Sequence, residues 1–155
     1  MVDFIHMRRD LTAPINAPRW PRGISLAELE NGDAREIHAL LTLAYSAGGG
    51  GVGDFETWWT GLLTDLEFDR NLCVVAKDER DRIVGFIQCW TTAFIKDVVV
   101  HPEARRQGLA EAMLNHAFGL FQALGMEHVD LKVEKGNPTG AIRLYERMGM
   151  VVMDD

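Results

Sequence analysis

Residues 98–110, Val-Val-Val-His-Pro-Glu-Ala-Arg-Arg-Gln-Gly-Leu-Ala, constrain the fold more than any other stretch of the chain. Three consecutive valines suit an extended backbone, and Pro102 biases His101 away from helix, so a strand ends there. From Gln107 onward the apolar positions Leu109, Met113, Leu114, Ala117, Phe118, Phe121 and Leu124 recur at helical spacing, and Gly125 supplies a left-handed stop. The chain must therefore run from strand through a tight turn into a long amphipathic helix. The first amides of such a helix lack intrahelical partners and carry the positive end of its dipole. Gly108 leaves them unobstructed and Arg105 and Arg106 add charge, so the turn can seat a phosphate group. Taken alone, the same residues also describe a turn whose arginines are simply solvated.

Around this unit the pattern reads as one α/β layer structure. Ile24 to Leu26 suggests a short strand, Asp33 to Tyr45 a helix with Ile37, Leu40, Leu41 and Ala44 on one side, and Phe55 to Leu66 a second helix. Strands follow at Leu72 to Ala76, Ile83 to Trp90 and Ala93 to Val100, the first two joined by the charged turn Lys77 to Arg82. After the long helix, Val129 to Val133 alternates as a strand. A short helix spans about 138 to 148, with Asn137 as cap, Pro138 at its first position and Gly149 as terminator, and a last strand lies near Val151. On that short helix Ala141, Leu144, Tyr145 and Met148 share a face, which alone would make Tyr145 a packed aromatic with a wet hydroxyl.

Arg105-Arg106-Gln107-Gly108-Leu109-Ala110 resembles the Q/R-x-x-G-x-G/A signature of the GNAT superfamily of N-acetyltransferases, and Pro102 stands where that family often has proline. A second stretch, Asn137-Pro138-Thr139-Gly140-Ala141-Ile142-Arg143-Leu144-Tyr145-Glu146-Arg147-Met148-Gly149-Met150, is similar to the family's N-x-x-A-x-x-L-Y-x-x-x-G-F, with Met150 replacing the usual Phe. The likeness spans roughly residues 22 to 153. It implies a mixed central sheet flanked by helices, in the order β-α-α-β-β-β-α-β-α-β. It also implies acetyl-CoA as co-substrate and direct transfer of its acetyl group to a primary amine, on a small molecule or a protein.

By the same resemblance, pantetheine pairs with backbone groups of Val98 and Val100 like an added strand. The pyrophosphate sits on the amides of residues 106–110, drawing in Arg106, Gln107, Gly108, Leu109 and Ala110 with help from Arg105, and Asn137 reaches the pantetheine side. Tyr145 is the candidate general acid, since a phenol with an ordinary pKa of about 10 keeps its proton at neutral pH. The base is not legible. Family members place a glutamate or histidine at positions matched here by Phe94 and Lys96, neither of which is a base at neutral pH. Asp97 points to the opposite face from Val98 and Val100 unless a bulge re-aims it, and His101 reads as a loop histidine. A water chain or an acceptor arriving deprotonated would also serve. This gap keeps alive an alternative, a non-catalytic module that binds or senses acyl-CoA.

Gly48, Gly50 and Gly53 formally match a dinucleotide G-x-G-x-x-G pattern, but the run follows a helix where that fingerprint follows a strand, and no Walker lysine accompanies it. It reads as a flexible connection, which with Phe55, Trp58, Trp59 and Trp90 either shapes the approach of the acceptor or packs in the core. Cys73 and Cys89 read as small core residues, and the five histidines are scattered without ligand spacing, so no metal is expected.

The 155 residues carry a formal charge of −7, which argues against nucleic-acid binding. No apolar run reaches membrane-span length and the start lacks a signal peptide's apolar core, so a cytoplasmic location is expected. Residues 1–20 are expected to be a mobile N-terminal arm, with His6-Met7 resembling a cloning junction, and residues 21–155 a single domain. The chain stops directly after Val151-Val152-Met153, where the family usually adds a seventh strand. That strand is expected to be missing, leaving an edge open to another chain, to strand exchange or to the N-terminal arm, and making a homodimer an expectation.

Overall fold

The computed structural model describes residues 3–154. Seven strands are β1 (Phe4–Asp10), β2 (Ser25–Ala27), β3 (Val74–Lys77), β4 (Ile83–Trp90), β5 (Phe94–Val100), β6 (His128–Glu134) and β7 (Met150–Val152). They form one sheet in the order β2-β3-β4-β5-β6-β1-β7. Four α-helices, α1 (Ala34–Tyr45), α2 (Phe55–Thr64), α3 (Leu109–Ala123) and α4 (Ala141–Arg147), connect and cover them. Every neighbouring pair is antiparallel except β5 with β6.

Two cores lie on the two faces of this sheet. On one, Met113, Leu114, Ala117, Phe118 and Phe121 of α3 close over Ile87, Ile95, Val129 and Leu131. On the other, Ile37, Leu40, Leu41 and Ala44 of α1 close over Val75, Phe86 and Val99. The helical spacing of one set and the alternation of the other meet as expected, and each buried aliphatic or aromatic side chain contributes about 1.5–3 kcal/mol. Close approach of α3 is permitted by Gly85, where a Cβ would stand 2.7 Å from the Met113 sulfur. Among the described residues no helix is long and apolar enough to cross a membrane.

The N-terminal segment corrects two expectations. It is not a mobile arm over residues 4–10, and the sheet does not lack its seventh strand. Strand β1 inserts between β6 and β7, pairing from Phe4 opposite Glu134 to Asp10 opposite His128, and Arg8 opposite Val151. Its alternation explains this. Ile5 and Met7 face the α3 side, with Met7 fully buried, while His6 and Arg8 face the other way onto Asp130 of β6. With that strand in place, no missing strand calls for a second chain.

Asp130 receives the guanidinium of Arg8 through two bonds, Nε to Oδ1 at 2.8 Å and NH2 to Oδ2 at 3.0 Å, and His6 Nε2 lies 2.7 Å from Oδ2. Burial pushes this carboxyl up, but the hydrogen bonds and charges of Arg8 and His6 outweigh it and hold it below the usual range. A depressed carboxyl adds stability above its unfolded pKa of about 3.9 and loses it as pH falls through the folded value. The melting temperature should therefore fall on acidification below about pH 4. Asp130→Asn should flatten that dependence, as thermal melts followed by circular dichroism would report.

The short helix starts later than its sequence suggests. Asn137 does not cap it. Its side chain accepts the Thr139 N–H at 2.7 Å, closing a turn of its own, and Gly140 at φ +78° leads into α4 at Ala141. The left-handed glycine ends the turn before helical geometry can begin.

Candidate active site

The parallel pairing of β5 and β6 lasts for two residues only, Phe94 against Asp130 and Ile95 against Leu131. Beyond Ile95 the strands part. A bulge at Lys96 accompanies the parting, since Cys89 of β4 faces Ile95 while Gln88 faces Asp97, leaving Lys96 without an opposite number. Between the diverging strands lies a cavity of about 670 Å³. His101 N–H bonds the Val84 carbonyl at 2.8 Å, toward β4. By the alternation of strand backbones, Val100 and Val98 turn their peptide groups the other way, into the cleft.

At one end of this cavity the chain enters α3 through two left-handed residues, Arg106 at φ +63° and Gly108 at φ +83°. The amides of the first turn of α3 are thereby gathered at the cavity wall, in the manner of an anion nest. Arg105, Arg106, Gly108, Leu109 and Ala110 all line the cavity, whereas Gln107 does not. Apart from its own chain neighbours, no heavy atom of the described residues lies within 4 Å of where a Gly108 Cβ would stand. Gly108→Ala meets strain of about 1–2 kcal/mol from the left-handed backbone and places a methyl group beside the nest. The expected outcome is a melting temperature lower by a few degrees together with affinity of the nest for pyrophosphate weakened about tenfold, measured by melts and by calorimetry.

Toward the other end, Asn137, Leu144 and Tyr145 line the same cavity. Tyr145 is 7% exposed, and burial, with the charge of Asp97 second, pushes its phenol up to about 12. It therefore holds its proton throughout the neutral range, which a donor to a departing thiolate requires.

The candidate bases fall apart from this set. Phe94 does not line the cavity, and Lys96 does but is paired with Asp97 at 3.2 Å. His101 is occupied in its turn, where Nδ1 accepts the Glu103 N–H at 3.1 Å. Asp97 lies on the opposite face from Val98 and Val100, where the regular alternation of residues 97–100 places it, and there it is buried and accepts the Tyr45 hydroxyl at 2.6 Å. Tyr45 itself lines the cavity and was not singled out by sequence reasoning. Its only signal was position, as the last residue of the α1 periodicity before the glycine run.

The glycine run joins α1 to α2, so the strand-then-helix context of a dinucleotide fingerprint is absent. Asp54 then caps α2 by accepting the Thr57 N–H at 3.3 Å. Gly48, Gly49 and Gly50 all have positive φ, and a Cβ on Gly49 or Gly50 would stand 2.7 Å from Asn137 Nδ2 or from the Tyr45 ring. The run thus lies across the mouth of the cleft, against the Asn137 turn. Phe55 and Trp58 gather instead around His38, with Trp58 5.6 Å and Phe55 5.7 Å from its ring centre, and Trp59 lies 5.5 Å from Trp58. Neither they nor Trp90 line the cavity. Cys73 and Cys89 are buried free thiols, and burial pushes Cys73 up to about 12 and Cys89 well above its usual value.

Splayed parallel strands, a nest at the following helix and a buried tyrosine are now joined by an independent match. The profile of the acetyltransferase (GNAT) family fits residues 34–150. The chain belongs to the GNAT acetyltransferase family. It is 31% identical, over 92% of its length, to a mycothiol acetyltransferase from Thermobispora bispora, of which it covers 52%. A GCN5-related N-acetyltransferase from Sphaerobacter thermophilus is likewise 31% identical, superposes with a TM-score of 0.84 over 98% of this chain, and is covered to 49%. A spermidine N-acetyltransferase from Vibrio cholerae shares the fold at 22% identity, with a TM-score of 0.65 over 85% of this chain and 81% of its own. The chain thus spans about half the length of the two more similar GNAT proteins.

Proposed function

We propose that this GNAT domain transfers an acetyl group from acetyl-CoA to a primary amine by direct attack. The observation that carries the reading is the continuity of one cavity from the left-handed turn at Gly108 to the buried phenol of Tyr145. Coenzyme A then lies with its pyrophosphate on the amides of residues 106–110 and its pantetheine along Val98 and Val100, as an added strand in the gap between β5 and β6. Arg105 and Arg106 contribute charge, and Asn137 flanks the pantetheine side. Backbone amides of β5 face the oxyanion of the tetrahedral intermediate. Tyr145 protonates the thiolate as it leaves.

The acceptor is an amine of a small molecule or a protein, and the site of action the cytoplasm. Calorimetric titration with acetyl-CoA, followed by thiol release against an amine panel, tests this reading. The panel comprises spermidine, glucosamine, the amine precursor of mycothiol and an alanine-ended peptide. Binding with amine-dependent release supports it. Binding with no release from any amine favours an acyl-CoA-sensing module, a reading that rests on Phe94 standing where, by the resemblance, some family members place a glutamate or histidine. Absence of binding overturns both.

A further inference from the structure

Proton removal from the attacking amine has no group assigned to it. A base must reach the reacting nitrogen directly or through one intermediary. Among the described residues, the titratable side chains on the cavity wall are Tyr45, Lys96, Arg105, Arg106, Glu111, Lys132, Tyr145 and Arg147. The lysines and arginines are cations at neutral pH. Glu111 sits in the first turn of α3 at the phosphate end, 3.4 Å from Arg147. With Tyr145 assigned to the departing thiolate, what remains is Tyr45, and behind it Asp97.

We propose that Tyr45 and Asp97 form the proton exit of this site, with the acceptor amine seated against the Tyr45 oxygen and its proton passing through Tyr45 to the Asp97 carboxylate. The geometry is already set. Tyr45 opens onto the cavity on one side and donates its hydroxyl to Asp97 Oδ1 at 2.6 Å on the other. Its oxygen keeps a lone pair for an amine N–H. Burial, reinforced by the charge of Asp97, raises the Tyr45 phenol far above its ordinary value, so it hands on a proton only by receiving one.

Few groups face the buried Asp97 carboxylate. From α1 it meets Tyr45, and from its own strand Lys96, whose Nζ lies 3.2 Å from Oδ2. Across on β4 stands Gln88, buried, its Oε1 without a hydrogen-bond partner among the described residues. Its charge also reaches Tyr145 of α4 and the buried thiols of Cys73 and Cys89, all of them neutral at physiological pH. The glycine run serves the same arrangement, since at Gly50 the backbone passes where a Cβ would stand 2.7 Å from the Tyr45 ring.

The step balances. The amine nitrogen bonds to the thioester carbon, and the carbonyl π pair moves to oxygen. The nitrogen's proton passes to Tyr45 as the Tyr45 hydroxyl proton passes to Asp97. Collapse breaks the carbon–sulfur bond, and the thiolate takes the Tyr145 proton. Return of a proton from Asp97 to Tyr145 through solvent restores the starting state, leaving amide and coenzyme A. Asp97 acts through Tyr45 and is a positioning residue in this scheme.

The inference rests on the acetyltransferase reading, and the test separates the two. With the amine of the panel that gives fastest thiol release, Tyr45→Phe should lower kcat at least a hundredfold while the acetyl-CoA dissociation constant changes less than twofold. Asp97→Asn, isosteric and still able to accept the Tyr45 hydroxyl, should lower kcat similarly. The slow rate of Tyr45→Phe should rise linearly with added imidazole, and its pH profile should follow that external base, which a purely structural role would not produce. Wild-type turnover in Tyr45→Phe, or a slow rate indifferent to imidazole with the wild-type pH profile, overturns the relay alone. Should Asp97→Asn fail to fold, Tyr45→Phe decides. No thiol release by the unmodified protein from any amine overturns the relay together with the reading beneath it.

Discussion

Replacing Tyr145 by phenylalanine is expected to lower kcat for acetyl transfer by about 10²- to 10⁴-fold, the range general acid catalysis supplies, while acetyl-CoA binds almost unchanged. Both halves of that outcome follow from where the hydroxyl sits. The ring of Tyr145 belongs to the core beneath α4, and phenylalanine keeps it. No hydrogen bond from the hydroxyl to another described residue would be lost, so the melting temperature should move by no more than a degree or two. Only the acidic proton disappears.

The pH dependence gives a second handle on the same group. Because burial and the charge of Asp97 push the phenol up to about 12, the donor stays protonated well beyond neutrality. The wild-type kcat should therefore rise with pH as the amine deprotonates and show no alkaline decline below about pH 10. An alkaline limb near pH 8, or a Tyr145→Phe variant that turns over like wild type, would remove Tyr145 from the acid role. Loss of acetyl-CoA affinity in the same variant would instead make it a packing residue of the cofactor cleft.

Legibility of this molecule in its sequence was uneven, for physical reasons. The strand, turn and helix around Pro102 and Gly108 were readable because each boundary is enforced locally, by a ring-constrained proline and by a glycine at φ +83°. Tyr45 was not readable. Its meeting with Asp97 joins residues 52 positions apart, on a helix and a strand whose docking no local preference announces. Asn137 misled in the opposite way. It is a good cap by composition, yet a left-handed residue was available three positions later, and the chain used it first. The first strand failed for a third reason. His6, Arg8 and Arg9 look like a solvated tail until Asp130, more than 120 residues away, supplies the charge that lets two of them sit on a sheet.

Removal of residues 1–12 is accordingly expected to abolish cooperative folding. Strand β1 is an interior strand, pairing with seven residues of β6 and three of β7, so its loss bares one edge and detaches the other strand entirely. Met7 and Leu11, at 0% and 2% exposure, would take with them about 1.5–3 kcal/mol each. Arg9 would cease to hold the Met148 carbonyl, to which its Nε donates at 3.1 Å, just where α4 hands the chain to β7. A domain of this size is stable by only about 5–15 kcal/mol, and these losses together with the ladder consume most of it. Circular dichroism of the shortened chain should show no sigmoidal melt. The milder Met7→Ala, which keeps the ladder and empties one core position, should cost about 2–5 kcal/mol and lower the melting temperature by roughly 5–15 °C. A shortened chain melting like the full one would mean that β6 and β7 can close on each other without β1. Tyr145, carried by α4 immediately before β7, would then owe its place in the cleft to α4 alone.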